Sequence, residues 1–204
     1  MPRVSEEHLE RRRQQILDAA QTCFARKGFH PTSMQDVFTE SGLSAGAVYR
    51  YFKSKDDLIA ALAADATLML RGLMDDVIER DPLPTPAELV TELTGEVVRL
   101  NENGGRVRLA PQAWALAVTD HDVKGYVAAA IGTMRDRWLA YADRMRDVGW
   151  LPPDADTEAV AKALIGVMPG FMLQYLLLGD TVPADIGRGL DYLLPTFRHA
   201  TAET

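Results

Sequence analysis

Apolar positions recur along most of this chain at helical spacing, one face apolar and the other charged. From Glu7 to Lys27, the residues Ile16, Leu17, Ala20, Cys23 and Phe24 fall on a single face. Gly28 follows and can supply the positive φ that closes a helix. Pro31-Thr32-Ser33 resets the chain. Ser33 is the expected N-cap of a short helix over 34–41, with Asp36 in its first turn and Met34, Val37 and Phe38 on one side. Gly42 ends that helix. Ser44 is expected to cap a third helix, over 45–52. Ser54 is expected to cap a fourth, with Asp57 three residues on as in a capping box. The fourth helix is predicted from about Lys55 to about Glu79, roughly 37 Å at 1.5 Å per residue. Asp81-Pro-Leu-Pro-Thr-Pro breaks it.

Further helical stretches are predicted at about 86–102, 106–119, 121–148, 156–179 and 184–199. Asn103-Gly104-Gly105, Gly149 with Pro152-Pro153, and Gly179 to Pro183 separate them. No segment alternates as a strand does, so the expected fold class is all-α. Within 156–179 the apolar face runs on from Ala159 to Leu178 across Pro169-Gly170. Pro169 has no N–H for the carbonyl of Ile165, so the helix either ends and restarts here or, as the continuous apolar face favours, kinks at the proline with Met168, Phe171 and Met172 beside the kink.

Composition narrows the function. The 204 residues are 47% hydrophobic and 25% charged, as in ordinary globular proteins. The single cysteine, Cys23, excludes an intrachain disulfide and fits a reducing, cytoplasmic setting. The charged N-terminus lacks the apolar core of a signal peptide. The longest apolar candidate contains Lys162, Pro169, Gln174 and Asp180, so no membrane association is expected. Enzyme chemistry finds no support. His8, His30, His121 and His199 are scattered, without metal-ligand spacing, and Asp120-His121-Asp122 reads as a helix cap. Cys23 sits on a buried face, Ser33 and Ser44 read as caps, and no glycine-rich phosphate loop occurs. No catalytic residue, metal or cofactor is expected.

The net charge of -7 is unevenly spread. Residues 1–55 hold nine Lys+Arg against six Asp+Glu, and the rest thirteen against 23. A basic head on an acidic body points to a polyanion touched by the head alone. The stretch GLSAGAVYRYFKSKDDL, Gly42 to Leu58, concentrates this character. Two short helices joined by a tight turn form a helix-turn-helix candidate, whose second helix enters the major groove. At about 100° per residue, Val48 and Phe52 point to a small core with Leu43, Val37 and Phe24, and Tyr51 flanks them. Gly46, Tyr49, Arg50 and Lys53 fall on the opposite face. Small residues permit close approach and methyl contacts, while tyrosine, arginine and lysine bond to phosphates or bases. The competing reading is a helical hairpin with a solvated basic face.

The run ILDAAQTCFARKGFHPTSMQDVFTESGLSAGAVYRYFKSKDDLIAAL carries a wider pattern at fixed spacing: Ile16, Ala19-Ala20, Phe24, Gly28-Phe29, Thr32-Ser33, Gly42-Leu43-Ser44, Gly46, Tyr49, Tyr51-Phe52 and Ser54-Lys55. In this, residues 13–62 resemble the N-terminal domain of the TetR family of bacterial transcriptional repressors. The resemblance implies a three-helix helix-turn-helix domain, residues 1–54, and a larger helical effector-binding and dimerisation domain, residues 55–204. It places Ser44, Ala45, Gly46, Tyr49 and Arg50 toward the groove, and Thr32, Ser33, Tyr51, Lys53 and Lys55 near phosphates. The position of Tyr51 is often histidine in the family. Ala45 and Ala47 offer no polar base-reading group, which leaves selectivity to methyl contacts, Arg50 and DNA shape. Arg11, Arg12 and Arg13 stand within reach of phosphates or form a solvated helix start.

In the acidic body, Trp114, Trp138, Met168, Phe171, Met172 and Tyr175 recur at helical spacing. They are either plain core or the walls of a pocket for an unknown small-molecule effector. Arg108, Gln112 and Gln174 are polar candidates to orient it. The resemblance also implies a homodimer paired through the last two helices. Ala163, Val167, Gly170, Leu173, Gln174 and Leu177 line the first of these, and Leu190, Leu193, Leu194 and Phe197 the second. The expected function is a ligand-responsive repressor released from an inverted-repeat operator in double-stranded DNA. The alternative is a helical small-molecule-binding or enzymatic protein whose helix-turn-helix is only structural. Salt-dependent retention on a DNA column separates the two.

Overall fold

The computed structural model describes residues 6–102 and 106–194. Ten α-helices and one 3-10 turn make up the described residues, with no strand among them. The helices are α1 (Glu6–Lys27), α2 (Met34–Ser41), α3 (Ala45–Tyr49), α4 (Lys55–Ile78) and α5 (Pro86–Glu102). After the 3-10 turn Arg106–Arg108 come α6 (Leu109–Thr119), α7 (His121–Asp147), α8 (Thr157–Ile165), α9 (Val167–Leu177) and α10 (Pro183–Leu193).

The helix ends follow local chemistry. Gly28 adopts φ +86° after α1, and its N–H donates to the Phe24 carbonyl at 2.8 Å. The Ser33 hydroxyl accepts from the Asp36 N–H at 3.2 Å, and the Asp36 carboxylate accepts from the Ser33 N–H at 2.9 Å. This capping box starts α2, and Gly42 at φ +67° ends it. Ser44 caps α3, accepting from the Ala47 N–H at 3.3 Å. Helix α3 is shorter than the sequence pattern predicts. Beyond Tyr49 the chain tightens, with the Tyr51 N–H on the Val48 carbonyl at 2.9 Å, yet Phe52 still lands in the core.

The chain forms two compact units. One comprises residues up to Ala66 together with Asn101–Ala129, and the other Thr67–Leu100 together with Ala130 onward. The first unit buries Ile16, Leu17, Phe24, Val37, Val48, Phe52 and Leu58 with Leu109, Ala113, Ala117, Val123 and Val127. Compactness groups α6 and the start of α7 with the three N-terminal helices. Helix α6, LAPQAWALAVT, carries no charged residue. Its sequence shows no polar face from which to read the surface it covers.

The second unit is built around Trp138 and Tyr141, packed with Met74, Val77, Leu89, Leu93, Met145, Ala161 and Leu164. The Tyr141 hydroxyl donates to the Pro84 carbonyl at 2.5 Å, and burial pushes its ionisation well above the ordinary tyrosine range. Arg137 donates to Asp75 at 2.8 Å, and Arg144 to the Ile78 carbonyl at 2.9 Å. Helix α10 meets α5 at Gly187, where an added Cβ would overlap Thr91 Oγ1. That hydroxyl is held by the Ala87 carbonyl at 2.7 Å and does not swing away freely. Gly187→Ala is expected to destabilise the protein by about 1–3 kcal/mol through overpacking. Adding Thr91→Ala should recover most of the loss in urea unfolding at fixed protein concentration. A double variant no more stable than the single one would remove the close approach as the cause.

One expectation for the segment 156–179 is refined. The helix is interrupted at Gly166, in the turn before Pro169. It ends at Ile165 and restarts at Val167, with Gly166 between. Pro169 then occupies the first turn of α9, where a backbone N–H needs no partner within the helix. Gly166 lies in the turn that the proline ring crowds, and has no side chain to resist the break. Taken together as one stretch, α8 and α9 (Thr157–Leu177) are long and apolar enough to cross a membrane by length and composition only, with Glu158 and Lys162 their only charges, and one such stretch does not indicate a membrane protein. The predicted continuation of α10 to residue 199, including Phe197, lies outside the described residues, as does His199.

Candidate nucleic-acid interface

The α2–turn–α3 unit presents one face outward. Ser44, Ala45, Gly46, Tyr49, Arg50 and Lys53 are exposed, while Val48 and Phe52 are buried. A Cβ added at Gly46 would meet nothing within 4 Å, so the fold leaves that surface open to a close-approaching partner. The Tyr49 ring packs edge-on against Phe38, with centroids 5.3 Å apart, and remains 41% exposed. Core packing therefore aims the tyrosine. Lys53 is exposed, its ammonium donating to the Tyr49 carbonyl at 2.6 Å at the end of α3. Ser33 is exposed at the start of α2, and Tyr51 is half-buried against the core.

Charge sharpens this face. Arg26 pairs with Glu40 at 3.2 Å, Lys27 with Asp36 at 2.6 Å, and Arg13 with Glu10 at 3.3 Å and Asp65 at 3.6 Å. The Lys27 ammonium, with hydrogen bonds from Ser33, holds the Asp36 carboxyl well below the usual carboxylate range. Arg13 also lies over the Phe52 ring at 6.0 Å. Arg12 donates to Gln15 at 2.7 Å, and Arg11 borders an open groove of about 570 Å³ along α1 with Gln14, Asp18 and Glu40. Arg50, in contrast, forms no ion pair among the described residues. Of the α1 cations, Arg13, Arg26 and Lys27 are thus paired with carboxylates, while Arg50 beside α3 is left uncompensated among the described residues.

Two residues expected near phosphates are engaged inside the protein. Thr32 is only 2% exposed, and its hydroxyl donates to the Gly28 carbonyl at 2.7 Å and the Cys23 carbonyl at 3.3 Å. It ties the α1–α2 turn and has no free hydroxyl to offer. The Lys55 ammonium donates to the Phe29 carbonyl at 2.8 Å and the His30 carbonyl at 3.3 Å. Cys23 is fully buried, and burial pushes its thiol pKa up, which leaves it unreactive. The Asp120 carboxylate accepts from the Val123 N–H at 3.1 Å, as a helix cap does.

The body candidates separate. Trp114 packs against the core of the first unit, whereas Trp138, Met168, Phe171, Met172 and Tyr175 belong to the second. Trp138 is wholly buried as core. Phe171 and Tyr175 stack, with centroids 5.7 Å apart and planes 13° apart. Gln112 lies over the α1–α2 turn, its Oε1 3.3 Å from where a Gly28 Cβ would sit, and its amide donates to the Arg108 carbonyl. The exposed Gln174 donates to the Gly170 carbonyl at 3.3 Å. Sequence reasoning had no signal for the Gln112 placement, since only the docking of α6 brings it there.

This geometry matches known proteins. Residues 16–62 match the family model for bacterial regulatory proteins of the tetR family, and residues 86–190 that for the C-terminal part of BetI-type transcriptional repressors. The transcriptional repressor AcnR of Corynebacterium diphtheriae is 38% identical over 181 residues, covering 89% of this chain and 90% of its own. Salmonella enterica GusR, 23% identical, superposes with a TM-score of 0.77 over 95% of this chain and 100% of that one. A SmeT–triclosan complex, SmeT being a repressor from Stenotrophomonas maltophilia, is also 23% identical, with a TM-score of 0.73 over 95% of each chain. With a paired α2–α3 motif, an uncompensated basic face and both family models matched in order, the chain belongs to the TetR family of DNA-binding transcriptional regulators.

Proposed function

We propose that the protein is a homodimeric cytoplasmic repressor that holds an inverted-repeat operator and releases it when a small molecule enters its body. Residues 1–54 serve as the DNA-binding part and residues 55–204 as the effector-binding and pairing part, with α4 linking them. The observation that carries this reading is the outward face of α3. Ser44, Ala45, Gly46, Tyr49 and Arg50 approach base edges there, with Ser33, Tyr51 and Lys53 beside them toward phosphates. Effector binding draws on Met168, Phe171, Met172 and Tyr175, flexible or aromatic side chains suited to an apolar molecule. The triclosan complex of SmeT supports such a ligand on this fold.

Pairing is supported by apolar surface that the single chain leaves uncovered. Leu173 is 46% exposed, Leu177 76% and Leu193 77%, and Ala163 is also exposed. The protein is expected to sediment as a dimer at micromolar concentration without DNA, and a monomeric coefficient would sink the proposal. In a dimer the two recognition helices sit about 34–36 Å apart, one DNA turn. Selection from random-sequence duplexes should therefore return an inverted repeat. Recovery of unrepeated half-sites, or no retention at low salt, would count against it. Effector and operator should each weaken the other's binding by the same factor.

A further inference from the structure

The core of the second unit holds a polar group that the fold leaves unanswered. Trp138 is wholly buried, and its Nε1–H has no hydrogen-bond partner among the described residues. Two hydroxyls buried in the same unit are already committed, Tyr141 to the Pro84 carbonyl and Thr94 to the Val90 carbonyl at 2.7 Å. Burying a donor without a partner costs stability, so an unpaired indole N–H in a packed core marks a place where an acceptor belongs. The surroundings can give way to one. Met74 and Met145 lie in this core, and Met134 and Met168 pack against it. Methionine side chains are unbranched and change shape at little cost. Met134 stands one turn before Trp138 on the same face of α7 and is half-buried, which puts an adaptable, partly exposed side chain next to the indole.

We propose that the Trp138 N–H is the polar anchor of the effector site, and that the effector is a neutral, largely apolar molecule whose uncharged oxygen, as in a ketone, ester or amide, accepts this hydrogen bond. This rests on the reading that the body takes a small molecule, and it commits that site to a polarity. The apolar side chains of the core supply most of the contact, and the single donor fixes the orientation. An anionic effector is disfavoured. The guanidinium of Arg137, next in the chain, is already spent on Asp75 at 2.8 Å, so a carboxylate brought against Trp138 would be buried unpaired. Met134 and Met168 move aside to admit the ligand, and Trp138 then gains the partner that its own core does not supply.

The test uses two pairs of compounds that differ only in the acceptor: benzophenone with diphenylmethane, and acetophenone with ethylbenzene. Each is titrated into the DNA-free protein by calorimetry and into ¹⁵N-labelled protein, whose three indole signals are assigned through Trp138→Phe. The ketone of at least one pair should move the Trp138 N–H proton downfield while its hydrocarbon does not. The preference for ketone over hydrocarbon should also fall by about two- to tenfold in Trp138→Phe, as expected for one hydrogen bond. An equal preference in parent and variant, with both compounds bound, would put the effector site away from Trp138 and overturn the proposal while leaving the effector reading intact. Failure of both pairs to bind would overturn it too. So would a Trp138 N–H that contacts a held water and keeps that contact when the ketone binds. If Trp138→Phe does not fold, Trp114→Phe and Trp150→Phe assign the third signal by elimination, and its response in the parent decides. The repressor reading fails separately, on a monomer in solution or on no retention of DNA at low salt.

Discussion

Replacing Trp138 with alanine is expected to destabilise the protein by about 3–5 kcal/mol, the range for a large aromatic removed from a packed core. The side chain is fully buried and meets Tyr141 edge-on, with centroids 6.0 Å apart and planes at 86°. Alanine would leave a void in the core that Trp138 shares with Met74, Leu89 and Leu93, which close-packed helices do not readily collapse to fill. Trp138→Phe separates packing from polarity. The Trp138 Nε1 is buried with no hydrogen-bond partner among the described residues. Phenylalanine loses some contact but also removes an unpaired donor, a group that costs about 1–3 kcal/mol to bury. The phenylalanine variant should thus lie much nearer the parent than the alanine variant. Urea unfolding at one protein concentration measures both, since dimerisation shifts apparent stability. A loss below about 1 kcal/mol for Trp138→Ala would show that the ring is not core.

Arg50→Ala is expected to weaken operator binding by about 1–3 kcal/mol, roughly five- to 150-fold, while the melting temperature stays nearly constant. Arg50 is exposed on the α3 face and unpaired among the described residues, so its removal disturbs no internal contact. Surface substitutions of that kind shift stability by about 0.5 kcal/mol or less. Tyr49 needs a different variant. Its ring contacts Phe38, so alanine would mix lost packing with lost DNA contact. Tyr49→Phe removes only the hydroxyl and isolates the polar contribution. Binding to the selected duplex and thermal unfolding are read on the same samples. Unchanged affinity in Arg50→Ala would take Arg50 out of the interface, and gross unfolding would make it a structural residue.

Much of the head was legible because its signals are local. Ser33 with Asp36, Gly28, Gly42 and Ser44 each act within four residues, and each does in the fold what its chemistry implies. The division of α3 into a buried face with Val48 and an outward face with Arg50 follows from 100° per residue and needs no tertiary information. The stop at Tyr49 was not legible, because a helix of that length is ended by how Tyr51 and Phe52 turn into the core. Pro169 shows a similar limit. Its missing N–H forecasts a disturbance, but whether the chain kinks or restarts at Gly166 depends on what the following turn packs against.

By itself, the sequence determined the all-helical class, the caps of the first helices, the outward set on α3 and, through both of its matched segments, the family. These rest on short-range rules of backbone geometry and hydrogen bonding. The tertiary structure alone decided where long or uniformly apolar elements dock and which polar groups they consume. It placed α6 in the core of the head and Trp138 at the centre of the second unit. It also turned Thr32 and Lys55 inward onto backbone carbonyls. A threonine or lysine bonds equally well to a phosphate or to a carbonyl. The choice between them is made by acceptors that lie four residues from Thr32 in the chain and 26 from Lys55, and folding alone brings the distant one within reach.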